Sequence, residues 1–493
     1  MLYESAPSSG LRTPNSPAPS RENPPLRASE IAVVLGLAIF VLFYKLGVSP
    51  LADWDEAIYA QISREILQRH SWIPLYWNFQ PFFEKPPLLM WTTALFFKVF
   101  GESELWARAA SALSGVALCV LMFSFAKRLR GSRAAWLTVT VLLTTTAFYD
   151  ASRFGTTDIM LTLGMYVALV GLFHIEQGRL WGWYPFWIGF GIAVMTKGPA
   201  VAQLCVTAVC VAILNHWTRE KFKRQFALGA LVFCAIVLPW HLVMWVRCGN
   251  EFLGNYIGFN LFHRALHPIE GHHGGPRYYL LVLAERATPW VYFLPLAFLR
   301  AVKDRRLQIP VIFTLVVFIS FTLARTKLHW YIVPIYPALA LMVAFQSDEV
   351  LREYPRLARL YPVGIAAFIA GFLYLYTRDI HGFDSAREDL KLLVEHAPTE
   401  YSGVLLLCSD RVNLPEPADL YYGQRKVALA YFKSKPPDST PGDPWTSVSD
   451  AVKTQPDLAI IDKKSLPAIP PSIECRKIAE GKDFVLAMLS RKG

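Results

Sequence analysis

Long apolar stretches constrain the fold of this chain more than any other feature of its sequence. A helix needs roughly 20 mainly apolar residues to cross a bilayer. Stretches that fit this requirement, alone or with a few flanking residues, recur about eleven times before residue 377. They are Ile31–Tyr44, Leu105–Ala126, Ala134–Tyr149, Ile159–Ile175, Trp183–Thr196, Ala200–Asn215, Phe226–Val246, Tyr278–Leu299, Pro310–Leu323, Trp330–Phe345 and Pro362–Tyr376. The pattern predicts an α-helical multi-pass membrane protein with about 11–13 transmembrane helices.

Composition excludes the two main alternatives, a soluble globular protein and a disordered chain. Charged residues make up 18% of the chain, whereas soluble domains carry roughly 25%. The 15 Trp, 21 Tyr and 32 Phe residues could not stay solvated in a disordered chain. Only residues 1–28, which are polar and rich in Pro and Ser, have a composition typical of disorder. Ile31–Tyr44 follows this arm and is not followed by a small-residue cleavage site, so we do not interpret it as a cleaved signal peptide.

The positions of the basic residues predict the orientation of the chain. Lys and Arg exceed Asp and Glu, 49 against 38, which in a soluble protein would suggest nucleic acid as a partner. Most of the excess, however, lies in four clusters between predicted spans: Lys127/Arg128/Arg130/Arg133, Arg219/Lys221/Lys223/Arg224, Arg300/Lys303/Arg305/Arg306 and Arg352/Arg356/Arg359. The positive-inside rule places these clusters in the cytoplasm, and they all reach that side only if Pro87–Phe100 does not cross the bilayer. We therefore interpret Pro87–Phe100 as an interfacial or re-entrant helix within an outer loop, residues 49–104.

This orientation places the C-terminal tail, residues 378–493, outside the membrane. Short apolar runs, such as Val404–Cys408 and Leu458–Ile461, alternate there with polar stretches. The alternation predicts a small α/β domain, which follows a transmembrane domain of residues 29–377. Cys408 and Cys475 both lie in the tail, and the sequence leaves open whether they pair.

The densest cluster of polar groups lies in the first outer loop. Asp53, Asp55 and Glu56 precede an amphipathic helix, and Asp53 is suited to its N-cap. These acids either only cap the helix or take part in chemistry. Glu84 and Lys85 follow in the segment FFEKPPLLMW. They either form a local ion pair at the membrane surface, or Lys85 holds a phosphate while Glu84 holds a metal ion or a polar acceptor group.

Further charged groups lie at the outer ends of other spans. Asp158 opens an apolar helix, Lys197 interrupts an apolar hairpin, and Lys327 lies beside His329 and Tyr331. Charges near membrane depth are costly, which makes them candidates for function. Helix capping explains Asp158 equally well, and interfacial anchoring explains Lys327 equally well. The loop between residues 247 and 277 adds a group that could ligate a divalent ion or bind an anion, although its spacing is not specific: His263, Arg264, His267, His272, His273 and Arg277.

Acids and cations that share one face of a bilayer are suited to group transfer from a lipid-borne phosphate. Lysine and arginine would stabilise the leaving phosphate, and an aspartate would accept a proton or orient the nucleophile. The chain contains no GxxxxGK[ST] or HExxH motif, so ATP hydrolysis and metalloprotease chemistry lack support.

The motifs W-D-E-A-x-Y-A, F-E-K-P-P-L about 28 residues later, and T-x-D-I-M-L at the start of a span resemble those of the GT-C membrane glycosyltransferases. Within that class the chain is similar to bacterial relatives of the lipid A aminoarabinose transferases and protein O-mannosyltransferases (glycosyltransferase families 39 and 83). The resemblance extends from about Ile31 to Tyr376 and includes M-T-K-G-P, H-G-G-P-x-Y-Y-L and K-L-x-x-Y-I-x-P.

The resemblance implies a GT-C fold and roles for individual residues. Asp55 and Asp158 match the catalytic acids of the first and second outer loops. Glu84 and Lys85 match a pair in which the lysine contacts lipid phosphate and the glutamate lies near the acceptor or a metal. The positions that match phosphate-side contacts are Lys197, Arg264 and Tyr331, and Lys327 is a further cation on the same face. One departure is Ile58, which replaces the arginine of the aminoarabinose transferases.

These observations predict an inverting glycosyltransferase of the bacterial inner membrane, with a cytoplasmic N-terminus and a periplasmic active site. The expected donor is a sugar on polyprenyl (undecaprenyl) phosphate, and the expected acceptor is lipid A, lipopolysaccharide or another envelope glycan. The alternatives are a protein acceptor or, in a different class, a transporter or flippase of lipid-linked sugars. No cofactor is required by the sequence. A divalent metal held by Glu84, His263 and His272 is left open, as is the identity of the sugar.

Overall fold

A computed structural model describes most of the chain. It covers residues 26–52, 54–78, 80–256, 258, 274–378, 391–394, 396, 405–408, 421–422, 427–432, 446–452 and 457–492. The predicted N-terminal arm and the histidine-rich loop fall almost entirely outside these ranges.

Each predicted span coincides with a helix or with two consecutive helices. The helices of the membrane part and of the first outer loop are α1 (Ala28–Phe43), α2 (Asp55–Gln68), α3 (Leu88–Phe100), α4 (Glu104–Arg130), α5 (Ser132–Leu143), α6 (Thr146–Arg153), α7 (Asp158–Glu176), α8 (Trp183–Lys197), α9 (Ala202–Leu214), α10 (Arg224–Leu253), α11 (Tyr278–Arg286), α12 (Leu294–Lys303), α13 (Gln308–Leu323), α14 (Tyr336–Glu353) and α15 (Pro355–Arg378).

Six helices in the described part of the chain are long and apolar enough to cross a membrane by length and composition. They are Glu104–Arg130, Asp158–Glu176, Arg224–Tyr256, Arg305–Leu323, His329–Glu353 and Pro355–Tyr376. Other spans are interrupted: α5 and α6 are separated at Thr144–Thr145, and a 3-10 turn at Trp290–Phe293 precedes α12. This architecture confirms the predicted α-helical multi-pass class.

The segment predicted to be interfacial forms α3, which has 13 residues. At 1.5 Å per residue its length is about 20 Å, short of a hydrocarbon core of roughly 30 Å. It packs with α2 and with the hairpin of β1 (Leu75–Trp77) and β2 (Gln80–Phe82) in one apolar cluster of the first outer loop. The length of α3 fits the interfacial interpretation, which stays a prediction because no membrane is present.

Glycines bring α7 and α8 unusually close together. A Cβ atom on Gly164 would lie 2.8 Å from the carbonyl oxygen of Gly189, and one on Gly171 would lie 2.5 Å from that of Gly182. Small residues of this kind let membrane helices approach through their backbones. The two helices are antiparallel neighbours, so the first residue of α7 and the last residue of α8 meet at the same end.

The tail folds around a six-stranded sheet, as the predicted α/β domain requires. Its strands are β3 (Leu405–Cys408), β4 (Val427–Tyr431), β5 (Thr446–Ser447), β6 (Asp457–Asp462), β7 (Ile473–Glu480) and β8 (Phe484–Arg491), and a short helix, α16 (Val448–Ala451), follows β5. The strand order is β5-β4-β3-β6-β8-β7. The strands from β5 to β6 are parallel neighbours, whereas β8 runs antiparallel to β6 and β7.

Both faces of the sheet are covered by apolar residues, because successive side chains of a strand point to opposite sides. Leu406 and Ile461 lie in one cluster, whereas Leu407 and Ile460 lie in the other. Trp77 of the first outer loop packs against this second cluster, so the domain contacts that loop.

Two strands separate Cys408 on β3 from Cys475 on β7. At about 4.8 Å between neighbouring strands, their backbones lie at least about 14 Å apart across the sheet, too far for a disulfide between these two residues.

Candidate active site

The first catalytic candidate, Asp55, is the first residue of α2. Trp54 occupies the N-cap with a φ of 64° and is 61% exposed. A positive φ is strained for a bulky residue, and such strain concentrates at functional sites. The prediction of Asp53 as the N-cap is therefore wrong, since α2 begins at Asp55 and Trp54 takes that position; Asp53 itself lies outside the described residues. Asp55 still benefits from the positive end of the helix dipole.

Glu56, for which the sequence leaves both capping and chemistry open, is buried in an ion pair. The Nε atom of Arg108 lies 2.8 Å from Oε1 of Glu56, and its Nη2 atom lies 2.9 Å from Oε2. Two backbone N–H groups, of Ala52 and Gly155, also donate to this carboxylate. The partner, Arg108, lies on α4, 52 residues along the chain, so no local pattern could have predicted the pair.

The second acid, Asp158, forms an ion pair with Lys197. The Nζ atom of Lys197 lies 2.5 Å from Oδ1 of Asp158, and Asp158 is 5% exposed. The same ammonium group lies 5.6 Å from the ring centroid of Tyr331 and interacts electrostatically with Asp55. Four elements of the chain therefore supply one group of site residues.

Tyr59 is a site residue that the sequence analysis did not single out. It lies one helical turn after Asp55 and is 3% exposed. Burial, followed by the negative charges of Asp55, Asp158 and Glu84, raises the pKa of its phenol well above the ordinary value of 10. The phenol therefore stays neutral and lies among three carboxylates. The tyrosine of D-E-A-x-Y was the available signal, because residues four apart share a helix face.

Glu84 and Lys85 lie in the turn between β2 and α3. Glu84 is exposed, whereas Lys85 is 8% exposed. Glu84 joins the site through its electrostatic effect on Tyr59. Phe83, immediately before it, packs in an aromatic cluster with Trp240, Phe252 and Tyr256. This aromatic wall approaches Lys197 closely, since a Cβ atom on Gly198 would lie 2.4 Å from the Tyr256 hydroxyl oxygen.

Lys327 is placed differently from the other cations. Its Nζ atom donates to the carbonyl oxygens of Phe321, Thr322 and Ala324, at 3.1, 2.7 and 2.7 Å. These carbonyls belong to the C-terminal end of α13, where the helix leaves acceptors without intrahelical donors. All three ammonium protons are thus used within the chain. A cavity of about 550 Å³ opens beside it, lined by Gly274, Gly275, Pro276, Thr322, Leu323, Ala324, Arg325 and Lys327.

The remaining candidates, Arg264, His263 and His272, lie outside the described residues. Within the residues that the structure covers, no group of three His, Cys, Asp or Glu side chains is arranged to hold a metal ion. Glu84 is the only one of the three predicted metal ligands in those ranges, so metal binding stays open.

Comparison with known proteins shows what this arrangement is similar to. Residues 84–245 match the family model of dolichyl-phosphate-mannose-protein mannosyltransferases. This segment contains Glu84, Lys85, Asp158 and Lys197, but not Asp55.

Two curated proteins are similar over a longer region. An undecaprenyl phosphate-alpha-4-amino-4-deoxy-L-arabinose arabinosyl transferase 2 of Pseudomonas fluorescens is 28% identical over 372 residues, which cover 71% of this chain and 63% of that protein. The corresponding transferase of Pectobacterium carotovorum is 30% identical over 324 residues, which cover 62% and 57%. The matched region thus spans less than two thirds of the length of these relatives.

A solved structure is similar over nearly the whole chain. The crystal structure of ArnT from Cupriavidus metallidurans bound to undecaprenyl phosphate superposes with a TM-score of 0.77 at 22% identity, covering 94% of this chain and 98% of that one. At this identity the likeness shows the fold alone, and it confirms the predicted GT-C architecture.

Proposed function

We propose that this chain is a GT-C membrane glycosyltransferase of the aminoarabinose transferase and protein mannosyltransferase type, and that it transfers a sugar from a polyprenyl phosphate to an envelope acceptor. The observation that carries the proposal is the convergence of Asp55, Asp158 and Lys197 at one end of the helices. The acids supply a base and the lysine supplies a counter-charge for phosphate. The similarity to undecaprenyl-phosphate-dependent transferases supports the same donor class.

In the proposed reaction, an acceptor oxygen attacks the anomeric carbon in line with the departing phosphate. The new bond joins that oxygen to the anomeric carbon, and the bond from this carbon to the phosphate oxygen breaks, which inverts the configuration. Asp55 takes or orients the proton of the acceptor hydroxyl. The electron pair of the broken bond leaves with the polyprenyl phosphate, whose charge is stabilised by Lys85 together with Lys197 or Arg264.

Asp158 has an assisting role in this scheme. Its ion pair with Lys197 fixes the position of the ammonium group, so that the charge does not have to reorganise when phosphate leaves. Tyr59 offers a neutral hydroxyl between the acids, which can hold either the acceptor hydroxyl or a carboxylate in place. Glu84 is exposed and is placed to contact the acceptor.

We further propose lipid A, lipopolysaccharide or another envelope glycan as the acceptor, with the active site on the periplasmic face. Ile58 in place of an arginine removes one cation beside Asp55, which argues against assigning aminoarabinose itself. The mannosyltransferase family model favours a protein acceptor as the second candidate. The masses of lipid A and of envelope proteins from a deletion strain separate the two, because only the true acceptor loses the added sugar.

Turnover of a lipid-linked sugar by membranes tests the activity. The substitution Asp55→Asn keeps the size of the side chain and removes the base, so we expect transfer to fall by about 10²–10⁴-fold. Asp304→Asn is a matched control, because Asp304 pairs with Arg306 beyond the other end of the helices, on a surface loop. Near-normal transfer by Asp55→Asn at equal expression would falsify the catalytic assignment. Movement of the lipid-linked sugar across proteoliposomes without covalent transfer would favour a flippase instead.

A further inference from the structure

We propose that Glu56 is the positioning residue of this site, which holds the segments of the two acids, Asp55 and Asp158, in register through Arg108. The catalytic part of this inference rests on the proposed function. The structural part, a link between two outer loops, stands without it.

Each oxygen of the Glu56 carboxylate accepts two hydrogen bonds. Its Oε1 atom accepts from Nε of Arg108 and from the N–H of Gly155, both at 2.8 Å. Its Oε2 atom accepts from Nη2 of Arg108 at 2.9 Å and from the N–H of Ala52 at 2.5 Å. Glu56 is 2% exposed. It is therefore not available as a base or as a ligand of phosphate, although it is the immediate neighbour of Asp55.

The guanidinium group of Arg108 is likewise fully hydrogen-bonded. Besides Glu56, it donates from Nη1 to the carbonyl oxygens of Leu46 and Ser49, at 2.9 and 2.8 Å, and from Nη2 to that of Pro50, at 2.7 Å. A guanidinium has five N–H donors, and these contacts engage all five. Arg108 thereby fastens the chain between α1 and α2 to α4, one turn into that helix.

Through these contacts, the Glu56 carboxylate is connected to both acidic segments. On one side, Glu56 is the second residue of α2 and directly follows Asp55. On the other side, it holds the N–H of Gly155, three residues before Asp158 begins α7. The contact with Gly155 is close, since a Cβ atom there would lie 3.0 Å from the carbonyl oxygen of Ala107 and 3.4 Å from Cγ of Glu56.

Other hydrogen bonds also hold residues 153–158: Ser111 donates to the carbonyl oxygen of Thr156, and Arg153 donates to those of Leu42 and Tyr44. They reach α4 and the end of α1, whereas the bond from Gly155 to Glu56 reaches α2 within the described residues.

The other buried ion pair of α2 joins Arg64 to Glu102 at 2.7 Å and contacts the backbone of Tyr421 in the outer domain. It fixes the far end of the helix, away from residues 153–158. The separation of the two acids thus depends on the Glu56 carboxylate and its arginine.

The substitution Glu56→Gln tests this dependence. Gln has one acceptor oxygen where Glu has two, so its NH₂ group faces either the N–H of Gly155 or that of Ala52 and cannot accept from it. We expect faster amide hydrogen exchange in the purified protein at residues 153–157 or 50–52. We also expect kcat for sugar transfer to fall by about 10²-fold, because small displacements of reacting groups cost that much. The KM for the polyprenyl donor should stay within about 3-fold of wild type, because Glu56 touches no ligand.

Arg64→Met is the matched control, because it removes an equally buried guanidinium from the same helix. It should lower the thermal unfolding temperature while leaving kcat and the exchange at residues 153–157 unchanged. Glu56→Asp keeps a carboxylate for Arg108, so it should recover part of the lost kcat, and it serves in place of Glu56→Gln if that protein does not accumulate.

The outcomes separate this inference from the proposed function. Unchanged exchange at both segments in Glu56→Gln overturns the link, whatever the activity. Faster exchange with an unchanged kcat, or a loss that appears only in the donor KM, overturns the positioning role. If the wild-type protein transfers no sugar, the proposed function fails, whereas the exchange measurement still decides whether Glu56 joins the two loops.

Discussion

The Nζ atom of Lys197 lies 2.5 Å from the Oδ1 atom of Asp158, although the two residues are 39 positions apart. Lys197 is the last residue of α8 and Asp158 is the first residue of α7. The glycine contacts between these antiparallel helices, such as Gly164 with Gly189, bring their backbones together and so determine where the pair forms. Helix packing deep in the membrane part thereby positions the charges of the site.

Lys197→Met should abolish most sugar transfer, with a loss of about 10²-fold or more, because it removes a charge proposed to stabilise the leaving phosphate. It also leaves the buried carboxylate of Asp158 without this counter-charge, so thermal unfolding should be measured beside turnover. Lys221→Met is the control, since Lys221 donates to the carbonyl oxygens of Ile175 and Glu176 at the other end of α7. Equal activity of the two variants would contradict the role of Lys197.

Tyr59→Phe should lower kcat by about 10-fold, the value of roughly one hydrogen bond, without changing the shape of the pH–rate profile. The raised pKa means that the folded protein favours the neutral phenol. Its contribution to stability is fully present below the unfolded pKa, near 10, and is lost only as the pH rises through the higher folded pKa. Between about pH 6 and pH 9, therefore, the pH–rate profiles of the wild type and of Tyr59→Phe should rise and fall at the same pH values.

A matched control for this measurement is Tyr76→Phe, which changes a tyrosine of β1 in the same loop that stacks with Arg69. Its activity should remain close to wild type. Disappearance of a basic limb in Tyr59→Phe alone would show that the phenol titrates in this range, against the expectation.

The helices of the membrane part could be predicted because lipid imposes a simple rule. Every backbone polar group in the hydrocarbon must be satisfied within its own helix, so length and apolarity suffice to find the spans. The break at Thr144–Thr145 was not predictable, since apolar residues continue on both sides of it, up to Tyr149. The same holds for the outer domain, where short apolar runs indicate strands but do not specify their order.

The candidate site was only partly predictable. Asp55, Glu84 and Asp158 stand out because carboxylates are rare at the ends of apolar stretches. The ion pairs do not stand out, because Glu56 with Arg108 and Asp158 with Lys197 are pairs of distant residues that leave no periodic signal. Lys327 stands out in the sequence, but its ammonium group is already engaged in the fold. The carbonyl oxygens at the end of a helix can bind a lysine as fully as a phosphate can.

Lys327→Met tests whether Lys327 binds the carbonyl oxygens at the end of α13 or the donor phosphate. The hydrogen bonds to Phe321, Thr322 and Ala324 predict a loss of about 1–2 kcal/mol in stability and a donor KM within about 2-fold of wild type. Arg325→Gln is the control, because Arg325 is exposed in the same loop. Thermal unfolding and donor titrations should be made on the same preparations. A large rise in KM with unchanged stability would instead assign Lys327 to the donor phosphate, as the sequence suggests.

Contacts of the outer domain with the catalytic loop lead to a last prediction. The hydroxyl of Tyr422 accepts from the N–H of Leu51 at 2.8 Å and donates to Oε1 of Glu104 at 3.2 Å, and Lys391 lies 2.5 Å from the same carboxylate oxygen. Leu51 is four residues before Asp55. The domain therefore holds the segment that leads into α2, which Arg108 also holds.

Tyr422→Phe removes both hydrogen bonds and keeps the ring, so we expect it to lower stability by about 1 kcal/mol per lost bond. We also expect proteolysis to remove the outer domain faster, because the domain leaves the loop more often. Tyr431→Phe is the matched control, since the Tyr431 hydroxyl makes no hydrogen bond with the described residues. If Tyr422→Phe and Tyr431→Phe were cut at the same rate, the domain would be held by apolar contacts such as that of Trp77, and the tyrosine would have no part in docking.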